Sequence, residues 1–255
     1  MDFSLTIDPS TCIRCGRCVK VCPASIFSLP DKTSQVELHH KENCIRCGHC
    51  AAVCPTFSVK HSLFPPEKIH AIDRGGLPTP EQMMLLIKSR RSNRAFSNKP
   101  VPEPWFDLIL EAAHRAPTAS NQQEVAFTLV TDPEKLRQII TLTADIFSEK
   151  VRRINYPVVG PLLRKFAPHI YTLATRLNAL TEMVRAGKDP ILRGATSVIL
   201  IHAPQGSHYG RIDCNLAYQN GSLMAESLGV SQFYTGFVCG AIDEDKKGRS
   251  TISWA

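Results

Sequence analysis

Ten cysteines punctuate this 255-residue chain, and eight of them fall in two copies of one pattern, C-I-R-C-G-x-C-x-x-V-C-P, at Cys12–Pro23 and Cys44–Pro55. Nine of the twelve positions are identical across an offset of 32 residues, which makes the pattern an internal repeat. A Cys-x2-Cys-x2-Cys run winds three thiolates around one iron–sulfur cube. The fourth cysteine of each copy, Cys22 or Cys54, lies beyond a three-residue gap and points away from its own group. Gly16 and Gly48 let the backbone turn tightly, and Pro23 and Pro55 fix the chain direction afterwards. Zinc sites group their ligands as two Cys pairs, without this third cysteine and the closing Cys-Pro. A disulfide framework suits a small secreted domain, whereas Met1-Asp2-Phe3 starts no signal sequence.

Residues 1 to about 62 resemble bacterial-type two-cluster ferredoxins. In such proteins the fourth cysteine ligates the other cluster. The resemblance therefore implies one [4Fe-4S] cluster on Cys12, Cys15, Cys18 and Cys54, and a second on Cys44, Cys47, Cys50 and Cys22. Cys214 and Cys239 stand apart and read as ordinary buried thiols. His39, His40 and His49 read as surface residues, since cysteine already fills both clusters.

A second set of chemical residues follows. Arg90-Arg91-Ser92-x-Arg94-x-Phe96 gathers planar cations and a hydroxyl suited to a phosphate. Ala116-Pro117-Thr118-Ala119-x-Asn121-x-Gln123 offers amides and a hydroxyl. Asp213 opens a helix that ends in L-G-V and is followed by Tyr234-Thr235-Gly236-Phe237. In this order and spacing the three stretches resemble the FMN-dependent nitroreductase family over residues 80 to about 240. The resemblance implies that Arg90, Arg91, Ser92 and Arg94 hold the FMN phosphate, and that Thr118, Asn121 and Gln123 meet its ring edge and ribityl chain. It also implies that the backbone at Thr235 and Gly236 approaches the redox-active nitrogen. The family commonly follows its glutamine with Pro-Trp, where this chain has Glu124-Val125. Members also continue into another strand and a basic residue near the phosphate; this chain stops at Trp254-Ala255, with Arg249 a candidate substitute.

The elements that must position these groups suggest an α+β class: a small two-cluster ferredoxin-like domain at 1–64, a Pro/Gly linker at 65–80, and a nitroreductase-like α+β FMN domain at 81–255. Residues 3–7 alternate as a short edge strand, and residues 25–29 with 35–38 form a small hairpin-like pair between the two motifs. That domain has little apolar core, so its clusters supply much of its folding energy. The proline-rich linker is semi-rigid and keeps the two domains near each other. Beyond it, Thr79-Pro80 starts a helix with Met83, Leu86 and Ile87 on one face. A second helix carries Phe106, Ile109, Leu110 and Ala113. Residues 125–130 read as a buried strand, 133–142 and 169–186 as helices, and 197–203 as a central strand. Asp213 caps a helix that Gly229 stops.

No apolar run approaches the roughly 20 residues of a membrane span, so a cytoplasmic protein without a membrane partner is expected. The formal charge of +7 lacks interleaved aromatics, which argues against nucleic acid. Some cations meet the phosphate, and Lys150–Arg153 with Arg164-Lys165 read as solvated surface. The expected function is an oxidoreductase relaying electrons through two [4Fe-4S] clusters to FMN and on to an electron-poor acceptor, a nitro compound, a quinone or similar. No acid–base catalytic residue is assigned, because the cofactor carries the chemistry. The resemblance further implies a homodimer. With no G-x-G-x-x-G fingerprint, the donor is either reduced ferredoxin or NAD(P)H. The alternatives are a ferredoxin-type carrier with a flavin-less docking domain and, below it, flavin remodelling or reductive dehalogenation.

Overall fold

The computed structural model describes residues 3–245 and 247–249. It divides into two compact units. The first holds the chain up to Thr79 together with Thr118–Gln123; the second holds Pro80–Pro117 and the chain from Glu124 onward. The division is not contiguous in sequence, because the Thr118–Gln123 segment goes with the cysteine repeats.

In the first unit β1 (Leu5–Ile7) leads into the first cysteine loop and α1 (Arg17–Val21). β2 (Phe27–Ser28) and β3 (Glu37–Leu38) form the expected antiparallel pair between the repeats. α2 (His49–Ala52) follows the second loop, and β4 (Val59–His61) returns to pair antiparallel with β1, Leu5 opposite His61. The core is small: Leu5, Ile26, Phe27, Val36 and Val59 close around Cys18 and Cys50.

In the second unit α3 (Pro80–Ser89) starts at its proline but buries no residue. α4 (Glu103–His114) buries Phe106, Ile109 and Ala113, as the stripe predicts. β5 (Ala126–Val130) buries only Val130 fully, so it is not the buried strand expected. α5 (Pro133–Ile154) runs twelve residues past its expected end. Asp132 caps it by accepting from the Glu134 and Lys135 amides at 2.7 and 3.2 Å, and its apolar face continues through Ile146, Phe147, Val151 and Ile154. α6 (Val159–Phe166) precedes α7 (Pro168–Arg185), whose Leu177 and Leu180 are buried. Leu173, placed on the same stripe by spacing, is 43% exposed.

β6 (Val198–His202) pairs antiparallel with β5, Val130 opposite Val198. The sequence suggests a central strand; among the described residues β5 is its one partner. Its apolar side is satisfied another way, against Ile191 and Leu192, which Asp189 folds inward by accepting three backbone N–H bonds. α8 (Gly210–Ser227) begins three residues before Asp213, so Asp213 is not its cap but a buried first-turn residue. Gly229, at φ +73°, ends it in the left-handed conformation. α9 (Gly236–Glu244) completes the unit.

Two basic stretches are not purely solvated. Lys150 forms a half-buried ion pair with Glu244 at 2.7 Å, and Arg164 donates to the Tyr171 hydroxyl at 2.6 Å while lying over its ring. Among the described residues no helix is long and apolar enough to cross a membrane.

Candidate functional site

The two cysteine loops share one backbone path. Arg14 and Arg46 both take positive φ, +56° and +54°, and Gly16 and Gly48 follow at +68° and +74°. At the glycines this costs little; a Cβ on Gly48 would also sit 3.1 Å from the Phe64 ring. Each loop thus reverses on itself and delivers Cys18 to α1 and Cys50 to α2, both buried.

Electrostatics groups the thiols. Burial pushes the Cys50 thiol up to about 11, and the charges that add to this come from Cys44, Cys47 and Cys22. Cys18 is raised by burial too, with additions from Cys12 and Cys15. The fourth cysteine of the first repeat therefore stands in the field of the second repeat's three. Burial raises Cys54 as well, but backbone N–H groups of Val59, Thr56 and Ser58 outweigh it, Ser58 N at 3.2 Å from Sγ, and leave this thiol lowered. Among the described residues no three potential ligands converge on a point as a single metal ion requires. A four-iron cube binds each thiolate at a separate corner, so its ligands need not converge on one point.

His39, His40 and His49 are exposed. The histidine that matters was not among them. His61 is 3% exposed, stacked on Phe3, with Nε2 4.0 Å from Cys44 Sγ. Carrying the repeat offset of 32 beyond Pro55 would have marked it, because it stands where the first copy has Leu29.

Thr118, Asn121 and Gln123 belong to the first unit. Ser120, Asn121 and Gln123 all take positive φ, and the Thr118 hydroxyl accepts from Gln123 N at 3.0 Å. Asn121 Nδ2 donates to the carbonyls of Ile45 and Arg46, at 3.1 and 3.0 Å, inside the Cys44–Cys47 loop.

In the second unit Ser92 forms a parallel bridge with Gln232, and Asn93 N donates to the Gln232 carbonyl at 3.0 Å. Gln232 Oε1 accepts from the Tyr218 hydroxyl at 2.7 Å. Arg94 lies 5.8 Å over Phe233. The structure thus brings Arg90–Arg94 beside the segment that leads into Thr235 and Gly236. Among the described residues Arg90, Arg91 and Arg94 have no carboxylate partner, whereas Arg249 is committed to Glu149 at 3.1 Å and Asp245 at 3.4 Å. Trp254 and Ala255 lie outside the described residues. The Thr235 hydroxyl is buried without a hydrogen-bond partner. Among the described residues Arg91 and Arg94 donate only to backbone carbonyls, of Arg90 and Ser92, so their charge is uncompensated, and this with an orphaned hydroxyl fits a phosphate-bearing flavin. A cavity of about 490 Å³ lies alongside, lined by Trp105, Phe106, Val198, Phe233 and Thr235. None of the three arginines lines it, whereas Lys99, Ser222, Ser231 and Gln232 do.

Tyr234 adds a titratable group to this segment. A hydrogen bond to Cys239, then burial, push its phenol from 10.0 up to about 12. A folded-state value above the unfolded one gives stability that is complete below pH 10 and lost as pH rises toward about 12. Difference absorbance against Tyr234→Phe is expected to show this phenolate only near pH 12, and Cys239→Ala to bring it back toward 10. An ordinary titration in the unsubstituted protein would refute the bond.

Comparison with known proteins agrees with this geometry. The family model "Nitroreductase family" matches residues 87–242, more than half of the chain. The chain belongs to the nitroreductase family. A second model, "4Fe-4S dicluster domain", matches residues 6–58 and takes in all eight repeat cysteines. This nitroreductase-family chain therefore carries an N-terminal iron–sulfur domain. An FMN reductase [NAD(P)H] of Bacillus subtilis is 25% identical over 161 residues, covering 62% of this chain and 55% of that protein. The chain thus spans about half that relative's length. A crystal structure of a nitroreductase with bound FMN from Bacteroides fragilis aligns at a TM-score of 0.50 and 22% identity, over 66% of this chain and 76% of that one. At that identity the likeness is one of fold, and the α+β class holds.

Proposed function

We propose that this protein is an oxidoreductase that takes in electrons at two [4Fe-4S] clusters and passes them by way of FMN to an electron-poor organic acceptor, such as a nitro compound or a quinone. Bound clusters supply one-electron transfer, and bound FMN supplies reduction of the acceptor. The observation that carries the reading is the set of arginines without a carboxylate partner among the described residues, held by the Ser92–Gln232 bridge next to the segment that leads into Thr235, in a family domain that shares its chain with a dicluster domain.

In this reading Arg90, Arg91, Ser92 and Arg94 hold the phosphate, and Thr235 with Gly236 present hydroxyl and backbone to the ring. Thr118 and Gln123 fix the turn that carries Asn121, which anchors that turn to the loop between two ligands of the second cluster. Ligation follows the crossed scheme, Cys54 completing the first group and Cys22 the second. The protein works as a cytoplasmic homodimer with NAD(P)H or reduced ferredoxin as donor. α3 supports the dimer, since Met83, Met84, Leu85 and Ile87 are each more than 40% exposed on a helix that buries nothing within its own unit.

One observation favours the carrier reading. Both Asn121 donations go to backbone carbonyls, and its Oδ1 accepts from Gln123 Nε2 at 3.4 Å, a structural role that needs no flavin. Anaerobic purification with iron and flavin counted per chain separates the two: about eight irons and one FMN are expected. The double variant Arg90→Ala/Arg91→Ala is expected to weaken FMN binding on the order of 100-fold or more, because each charged hydrogen bond contributes about 1.5–3 kcal/mol. Its iron content stays unchanged. Full iron without FMN, even after added flavin, overturns the enzyme reading in favour of a carrier.

A further inference from the structure

The repeat that builds the first unit continues in the backbone beyond Pro55 and fails at one side chain. Ser25 and Phe57, 32 apart, share φ values of +51° and +52°, and β2 at Phe27–Ser28 corresponds to the start of β4 at Val59. The same offset pairs Leu29 with His61. Leu29 has no donor; His61 has two ring nitrogens, and both are placed.

Leu63 N donates to His61 Nδ1 at 3.2 Å, so Nδ1 presents a lone pair and the ring proton resides on Nε2. Nε2 points at Cys44 Sγ from 4.0 Å, the outer reach of an N–H···S contact. The ring cannot swing away, because Phe3 stacks on it at 5.0 Å with 12° between planes and Phe64 meets it edge-on at 5.0 Å. Cys44 Sγ otherwise accepts the Arg46 amide at 3.4 Å.

We propose that His61 is a potential-setting residue: its Nε2–H donates to the Cys44 thiolate and raises the reduction potential of the cluster that Cys44 ligates. Adding one electron increases the negative charge shared by the ligating sulfurs, and a donor aimed at one of them stabilises the reduced form more than the oxidised form. The burial of His61 strengthens the effect, since little water competes for the sulfur. The first cluster has no such residue at the matching position, where Leu29 stands. The proposal rests on the dicluster reading and needs no flavin.

Redox titration of the two clusters, followed by electron paramagnetic resonance, tests it. His61→Leu, which makes the second copy match the first, is expected to lower one potential and leave the other in place, and His61→Gln to recover part of the loss. The shift is expected in a Cys15→Ala background, which lacks the first cluster, and absent in a Cys47→Ala background, which lacks the second. Equal shifts in both clusters, or none, overturn the proposal. Iron counted on the same samples keeps a failed dicluster reading distinct from a failed role for His61. If His61→Leu does not assemble, the unsubstituted protein decides: isotopically labelled histidine nitrogen is expected to show hyperfine coupling to one reduced cluster, and its absence overturns the role.

Discussion

Cys22→Ala is expected to abolish the cluster of the second motif and to spare the cluster of the first, although Cys22 is part of the first motif in sequence. Iron should fall from about eight to about four per chain. The cause is electrostatic. Buried Cys50 feels Cys44, Cys47 and also Cys22, whereas buried Cys18 feels Cys12 and Cys15 from its own loop. Cys50, raised to about 11, would carry its charge against those of Cys44, Cys47 and Cys22 if all four ionised, so a cationic cluster core is what lets the four stand together as thiolates. Removing one corner removes that compensation. Cys22→Ala and Cys47→Ala should then lose the same resonance signal, and Cys12→Ala the other. Cys22→Ala and Cys12→Ala losing the same signal would mean that each loop closes on itself.

The dicluster domain and the two glycine turns were legible because metal chemistry demands particular residue types at fixed spacing, and fixed spacing survives in one dimension. The same holds for Pro80 at the start of α3 and Gly229 at the end of α8, where backbone restriction acts locally. His61 was not legible as a lone histidine. Its place beside Cys44 comes from β4 pairing with β1, a contact between residues far apart in the chain. Thr141, Thr143 and Ser148 interrupt the apolar rhythm of α5, so its pattern stops short of its length; Thr143 is nonetheless 3% exposed, so tertiary packing carries the helix past weak local propensity. The apolar run of β6 suggests a central strand, but such a run registers burial without saying whether a strand or a loop supplies it. Asn121 shows the limit at the flavin residues: its residue type fits a flavin contact, yet its amide is spent on the Cys44–Cys47 loop.

The largest stability effect is expected at Phe147. It is 4% exposed on α5 in the core of the second unit, and its ring meets Phe237 of α9 edge-on at 6.3 Å. Phe147→Ala should cost about 3–5 kcal/mol, from lost transfer energy and the cavity left behind. Against a total of about 5–15 kcal/mol that is a large share of what holds a domain together. Phe237, 39% exposed, supplies the control. Phe237→Ala removes the same ring pair without opening the core, so it should cost only about 0.5–1.5 kcal/mol. Because two units and two clusters make a single melting curve ambiguous, amide exchange at α5 and α9 is the measurement of choice. Protection in both helices should fall together in Phe147→Ala, since α9 rests on this ring, and a Cβ at Gly240 would already lie in van der Waals contact with its edge at 3.9 Å. That helix begins at Gly236, so a loosened α9 frees the backbone assigned to the flavin, and FMN affinity should drop in parallel while iron stays at its full count. Equal costs for the two variants would show that the ring contributes no more than its contact with Phe237.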